Sequence, residues 1–223
     1  MKAWLLFLRP TAAVLILNAV FFPGMSASAA GTAPLPLDVN GDTIPDIWAQ
    51  RYQAGALNPA ADSDGDGASN ASESSAGTDP LAAGSVIRVS SITKDIAGVH
   101  LTFPTVPGKR YQVQDNASLE AGTWGDIGAL HSGTGGEMEA TVAAPATARF
   151  FRVYVQDVDT DNDGVTDYEE ILAGFNPNSP TSFGASGLTD KEALLAALNP
   201  AAANTVSVHA ADDAATVRQI PRN

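Results

Sequence analysis

Between Val86 and Asp157 apolar and polar residues alternate in six short runs: "VIRVSSIT", "GVHLTFP", "RYQVQD", "WGDIGALH", "EMEATVAA" and "RFFRVYVQD". Stretches suited to turns, "VPGK", "NASLEAGT" and "SGTGG", separate them. A period of two sends successive side chains to opposite faces of a strand. Six strands at near-regular spacing therefore predict a small antiparallel β-sandwich over 85–156. Val99, Leu101 and Phe103 mark one inward face, and Tyr111, Val113, Trp124, Phe151, Val153 and Val155 are the expected facing core.

Outside this block the apolar residues recur at helical spacing, but only briefly. In "IPDIWAQRYQAG", Ile44, Ile47, Trp48 and Tyr52 predict one short helix, with Pro45 suited to its first turn and Gly55 to its end. A second helical stretch ends at Gly77 and a third, within "YEEILAGFNP", at Gly174. In "LTDKEALLAALNP", Thr189 can cap, Glu192 lies three residues on, and Pro200 stands just past the end. The expected fold is mainly β, a small antiparallel sandwich flanked by loop–helix repeats with short helices. The flanking segments are 31–84 and 157–182, followed by a C-terminal helix and polar tail over 183–223. That tail contains "NTVSVHAADDA", which starts like an edge strand.

Residues 1–30 read differently. Lys2 and Arg9 precede or border an apolar run from Thr11 to Phe22, and "MSASAA" supplies small residues for cleavage after Ala29 or Ala30. This is the pattern of a secretory signal peptide. About twelve apolar residues fall short of the roughly 20 that a spanning helix needs. The expected mature chain is secreted and has no membrane span.

Charge narrows the function classes. Twelve Lys and Arg stand against 25 Asp and Glu, a formal net charge of −13. Removing Lys2 and Arg9 leaves 10 − 25 = −15. So acidic a chain is not a partner for nucleic acid phosphates. It contains no cysteine, which excludes disulfide staples, thiolate nucleophiles and cysteine-ligated zinc. His100, His131 and His209 stand apart in sequence, and no nucleophile elbow, H-E-x-x-H or phosphate loop is present. Structural roles are expected for the histidines, and no enzymatic activity.

The acids are concentrated instead. "DSDGDGASNASE" at Asp62 and "DTDNDGVTDYEE" at Asp159 align over 24 residues without a gap. Asp62, Asp64, Asp66, Gly67, Glu73, Ala76, Gly77, Pro80 and Ser85 each have an identical partner 97 positions on. Carboxylates packed so densely repel one another unless a cation intervenes, and both copies fit the D-x-[DN]-x-[DN]-G-x5-E spacing of a calcium loop. Calcium takes roughly 6–8 oxygens at about 2.3–2.6 Å, so its ligands must converge from a tightly curled segment. Asp62, Asp64 and Asp66, and Asp159, Asp161 and Asp163, fall at positions 1, 3 and 5. The carbonyls of Ala68 and Val165 fall at position 7. Asn70 and Asp167 fall at position 9, and Glu73 and Glu170 can close the shell bidentately at position 12. A third loop places Asp38, Asn40, Asp42 and Asp46 at positions 1, 3, 5 and 9, with the Ile44 carbonyl at 7. It departs from the pattern at Thr43, where glycine is expected, and at Ala49, where the closing glutamate is expected.

Position 8 is Ser69 in one full copy and Thr166 in the other, and each loop has an exit helix only, unlike an ordinary EF-hand pair. With "GTDP" or "FNP" after the helix, segments 38–84 and 157–182 resemble the thrombospondin type 3 repeat and its relatives in bacterial secreted proteins. The block carrying "VPGKRYQVQ", Trp124 and "RFFRVYV" looks like a fibronectin type III-like module. The resemblance implies calcium-stabilised, rigid extracellular architecture and not catalysis; beside calcium, an extracellular protein or a glycan is left open as partner. "NAS" at Asn70 and at Asn116 also matches a glycosylation acceptor. One alternative is the N-terminal part of a longer secreted enzyme whose catalytic region is absent, since "NTVSVHAADDA" starts like the first strand of another β module. Another is a carbohydrate- or protein-binding module; paired calcium loops also occur in dockerin-like modules, where they lie close together. Here the two full loops are 97 residues apart, so they are expected to act as separate sites in a spacer or adhesion protein.

Overall fold

The computed structural model describes residues 35–118, 124–145, 147, 149–184 and 187–199, together with the backbone of 14–16. The elements run β1 Val14–Ile16, α1 Asp46–Tyr52, α2 Asn70–Ala76, β2 Ser91–Lys94, β3 Val99–Pro104, β4 Lys109–Asn116 and β5 Gly125–Ser132. They continue with β6 Glu137–Val142, β7 Arg149–Asp157, α3 Asp167–Ala173 and α4 Asp190–Leu198. All six strands expected from alternation are present, and the described residues are mainly β with four short helices.

Strands β2, β3 and β6 form one antiparallel sheet in that order, and β7, β4 and β5 form another. The alternation of β3 buries Val99, Leu101 and Phe103 completely. They meet Ala140 and Val142 of β6 and, from the other sheet, Tyr111, Val113 and Phe151, so the two sheets are layers around one core. Val153 and Val155 pack at its margin. Register explains the layering: Tyr111 lies opposite Val155, and Val113 opposite both Val153 and Ile127.

Trp124 is a correction to the expected core. Ile127 packs against that core, and Trp124, three positions earlier, falls on the opposite face of a period-two strand. There it is half-buried, with the Arg152 guanidinium 4.5 Å from its ring centroid.

The strand Val14–Ile16 pairs in parallel with Arg149–Phe151 at the β7 edge. The rest of the expected leader lies outside the described residues, as does the tail from 200 onward with "NTVSVHAADDA".

A second apolar region lies beside the β layers. Leu37, Ile47, Val165 and Leu194 form one buried cluster, and Ile44, Trp48, Ala54 and Tyr168 form another, with Ala71 of α2 and Val106 packed against it. Segments far apart in sequence are thus brought together: the first, second and third loop–helix units and α4 share these two clusters.

Candidate metal centres

Each loop curls around the carboxylate at its first position. In the second loop Asp62 accepts the N–H of Gly65 at 2.8 Å and of Gly67 at 2.9 Å. Asp64 then accepts from Asp66 at 3.1 Å, and Asp66 from Ala68 at 2.7 Å. The third loop repeats this bond for bond: Asp159 accepts from Asn162 and Gly164, Asp161 from Asp163, and Asp163 from Val165. These bonds draw the side chains at positions 1, 3 and 5 toward one point. Carboxylate oxygens of Asp62, Asp64 and Asp66 lie within 4.8 Å of one another, as do those of Asp159, Asp161 and Asp163.

The sharp turn needs left-handed backbone. Gly67 and Gly164 have φ of +99° and +88° at position 6, a region that costs a residue with a Cβ about 1–2 kcal/mol. Position 4 is left-handed too, at Gly65 and at Asn162. Sequence reading overlooked this requirement, although glycine and asparagine are the residues that meet it most readily.

Closure comes from the exit helices. Ser69 and Thr166 cap α2 and α3, and the first turns carry Asn70 and Glu73 in one copy and Asp167 and Glu170 in the other. Glu73 is 1 % exposed and Glu170 fully buried. Ten buried side-chain polar atoms have no hydrogen-bond partner among the described residues, and nine are oxygens of these two loops. They are Asp64 Oδ2, Asp66 Oδ2, Asn70 Oδ1 and both Oε of Glu73, then Asp161 Oδ2, Asp163 Oδ2 and both Oε of Glu170. A buried polar oxygen without a partner is costly, and eight carboxylate oxygens and one amide oxygen gathered in two places fit a hard, oxygen-seeking cation. The electrostatics agree. Burial, and then the neighbouring aspartates, push the carboxyls of Glu73 and Glu170 up to about 8. Asp66, Asp161 and Asp163 are also raised, with burial the largest cause.

Position 9 differs between the copies. Asn70 is fully buried with its Oδ1 open, while its Nδ2 donates to the Asn58 carbonyl at 2.8 Å. The Asp167 carboxylate instead holds its own loop, accepting from the N–H and the hydroxyl of Thr160, each at 2.7 Å. Ala68 and Val165, at position 7, are buried and fix the loops to the protein.

The first loop has the same scaffold without the closure. Asp38 accepts from Gly41 at 2.7 Å and from Thr43 at 3.0 Å, Asn40 accepts from Asp42, and Asp42 from Ile44. Asp46 Oδ2 is taken by the Val39 N–H at 2.5 Å, as Asp167 is taken in the third loop. Thr43 adopts φ +76°, the conformation reserved for glycine in the full copies. No buried, unpartnered carboxylate is found here among the described residues.

Two neighbours of the third loop were missed from sequence. Glu169 is 1 % exposed, completes a capping box with Thr166, and accepts the Leu37 N–H at 2.6 Å. The T-x-x-E spacing was the available signal. Asp190, at the start of α4, is fully buried, accepts from Ser182 Oγ at 2.5 Å and Phe183 N at 2.8 Å, and its charge raises Asp161, Asp163 and Glu170. The side chain of the following Lys191 lies against the turn of the third loop, where a Cβ at Gly164 would stand 2.6 Å from its Nζ. Helix α4 thus seats its first turn on the third loop.

The glycosylation motifs fare differently. Asn70 is fully buried and Asn116 is 6 % exposed, so the folded chain offers neither amide to a large enzyme. His100 is a bridge between strands, with Nε2 2.9 Å from Asp95 and Nδ1 near Glu139 and Thr141. The hydrogen bond to Asp95 is the largest cause raising its pKa.

Segments 62–83 and 159–180 match the bacterial TSP3 repeat family, on the same two loops and exit helices that hold the unpartnered oxygens. Comparison with curated proteins and with solved structures finds no match.

Proposed function

We propose that this chain is a secreted, non-catalytic calcium-binding protein whose two full loops each hold one ion and make its extracellular architecture rigid. The observation that carries this reading is the set of nine buried, unpartnered oxygens, confined to two loops of matching hydrogen-bond pattern. In the second loop Asp62, Asp64, Asp66, Asn70 and Glu73 would hold the ion. In the third loop Asp159, Asp161, Asp163 and Glu170 would do so, with the Ala68 and Val165 carbonyls completing the respective sets. Calcium, when bound, supplies the positive charge that offsets the clustered carboxylates and satisfies their lone pairs. The first loop, with an aspartate set but no closing glutamate, is a third and weaker site.

Export is supported by the leader pattern of residues 1–30. It is supported also by the matching family, whose repeats are typical of extracellular proteins. No helix among the described residues is long and apolar enough to cross a membrane. A fibronectin type III-like assignment of the β layers is supported by two sheets, each with three antiparallel strands between Ser91 and Asp157, around one core. A second reading, a docking module for an extracellular protein, is favoured by one observation. The loop–helix units share two apolar clusters, as a paired module requires, despite their distance in sequence.

Calorimetric titration of the metal-stripped chain 31–223, with native mass spectrometry, tests the calcium reading. At least two ions per chain are expected, with affinities of the extracellular class, about 10⁻⁴–10⁻³ M. Fewer than one ion per chain would overturn it.

A further inference from the structure

The carbonyl of Gly77 receives a hydrogen bond from the other copy of the repeat. Gly77 caps α2, the exit helix of the second loop, and its N–H donates to the Glu73 carbonyl at 2.7 Å. The N–H of Thr78 donates to the same carbonyl at 3.0 Å. The C-terminal end of α2 is therefore built on Glu73, whose side chain closes the second metal set. From the third loop, Tyr168 reaches across 91 residues and its hydroxyl donates to the Gly77 carbonyl at 2.9 Å in a buried setting. Tyr168 lies in the first turn of α3, two residues before Glu170, which closes the third metal set.

The contact is tight. A Cβ at Gly77 would stand 2.9 Å from the Tyr168 ring, and φ there is +78°. The Tyr168 ring also meets the ammonium of Lys109, 4.6 Å from its centroid, and that ammonium is bound to Asp157 just before the third loop. Helix α1 also supports the junction, since Trp48 Nε1 donates to the Thr78 carbonyl at 2.8 Å. The Tyr52 hydroxyl stands farther from the Gly77 carbonyl, at 3.5 Å. The short bond from the third unit to α2 is thus that of Tyr168.

We propose that Tyr168 is a positioning residue that couples the two full metal loops, so that calcium in either raises the affinity of the other. The proposal rests on the calcium reading above. Helices α2 and α3 have seven residues each, too short to persist without external support. Ordering the third loop fixes the first turn of α3 and with it the Tyr168 hydroxyl. That hydroxyl holds the cap of α2, and so Glu73 is already ordered when the second loop takes its ion. A second ligand that meets a partly ordered protein loses less conformational freedom on binding. Linkage requires the same factor in the reverse direction.

The experiment is a calcium titration of the full mature chain by calorimetry in six forms: wild type, Glu73→Gln, Glu170→Gln, and Tyr168→Phe alone and combined with either glutamine variant. The wild type is expected to bind its second-loop ion about three- to tenfold more tightly than Glu170→Gln, the factor corresponding to one net hydrogen bond. Its third-loop ion should be tighter than in Glu73→Gln by the same factor. Tyr168→Phe keeps the ring against Lys109 and should bring both ratios near one while two ions still bind. Unequal ratios, ratios near one in the wild type, or ratios unchanged by Tyr168→Phe overturn the coupling and leave the calcium reading standing. A wild type that takes up no calcium overturns the calcium reading itself, and the coupling with it. Should Tyr168→Phe fail to fold, amide hydrogen exchange in Glu73→Gln decides: calcium in the third loop is expected to protect the Gly77 and Thr78 N–H groups at the α2 cap, and no gain in protection overturns the coupling.

Discussion

Lys109→Met isolates the junction between the β layers and the loop–helix units. The Lys109 side chain is 1 % exposed, its Nζ lies 2.5 Å from Asp157 Oδ1, and the Asp157 side chain is 16 % exposed. Replacing the ammonium with a thioether keeps most of the volume and leaves the Asp157 carboxylate buried without its cation. Removing one partner of a buried pair costs about 3–5 kcal/mol. The lost ring contact with Tyr168 adds roughly 0.5–2 kcal/mol if it is fully desolvated. Against a total stability of about 5–15 kcal/mol this is a large share. For a chain of this size the two together, about 3.5–7 kcal/mol, correspond to a fall in melting temperature of roughly 7–28 °C. Calorimetry and urea unfolding at saturating calcium read the effect. The double variant Lys109→Met with Asp157→Asn removes the stranded charge and should recover at least half of the loss. A single-variant loss below about 1 kcal/mol, or no recovery in the double variant, refutes the assignment of the pair as an isolated, desolvated contact.

Two further outcomes follow from the loops. In the metal-free chain Glu73 and Glu170 are raised from 4.5 to about 8, so between those values the folded state binds more protons than the unfolded state. Their contribution to stability is therefore full below about pH 4.5 and lost as pH rises through about 8. Urea midpoints measured in chelator should fall across that window and should not do so at saturating calcium; a rise in chelator would contradict the burial of these carboxyls. Chelation should also expand the chain in small-angle scattering and open the two full loops to protease while the β signal in circular dichroism persists, because the core of the sheets does not include the loops. Each ion at a hundredfold excess over its Kd contributes about 2.7 kcal/mol; scattering and proteolysis indifferent to chelator would leave the loops as ordinary turns.

What could be read from sequence was whatever is local. Period-two alternation placed six strands and identified Val99, Leu101 and Phe103 as inward, because pleat and burial act over neighbouring residues. The spacing that gathers Asp62, Asp64 and Asp66, and Asp159, Asp161 and Asp163, was legible for the same reason, since each set converges within one short curled loop. Trp124 was misplaced because size and apolarity argue for a core, whereas strand parity relative to Ile127 decides the face. The convergence of the loop–helix units was invisible. Nothing in the neighbourhood of Tyr168 or Gly77 announces a bond across 91 residues. The roles of Glu169 and Asp190 depend in the same way on segments that meet only in the folded chain, Leu37 in one case and Ser182 and Phe183 in the other.

That bond changes how the chain is divided. Two residues that touch, Gly77 and Tyr168, bracket nearly the whole of the paired β layers, so the layers leave the loop–helix cluster and return to it at one place. The cluster is then the host and the β layers are a guest inserted between its second and third units, with entry and exit side by side. A guest held this way is exchangeable in principle. A short linker in place of the inserted strands would join the two full loops in tandem, while a longer or different insert would leave the host's own apolar contacts among Ile44, Trp48, Ala54 and Tyr168 intact. The acidic loops would then serve as a clasp at the base of whatever segment the chain displays.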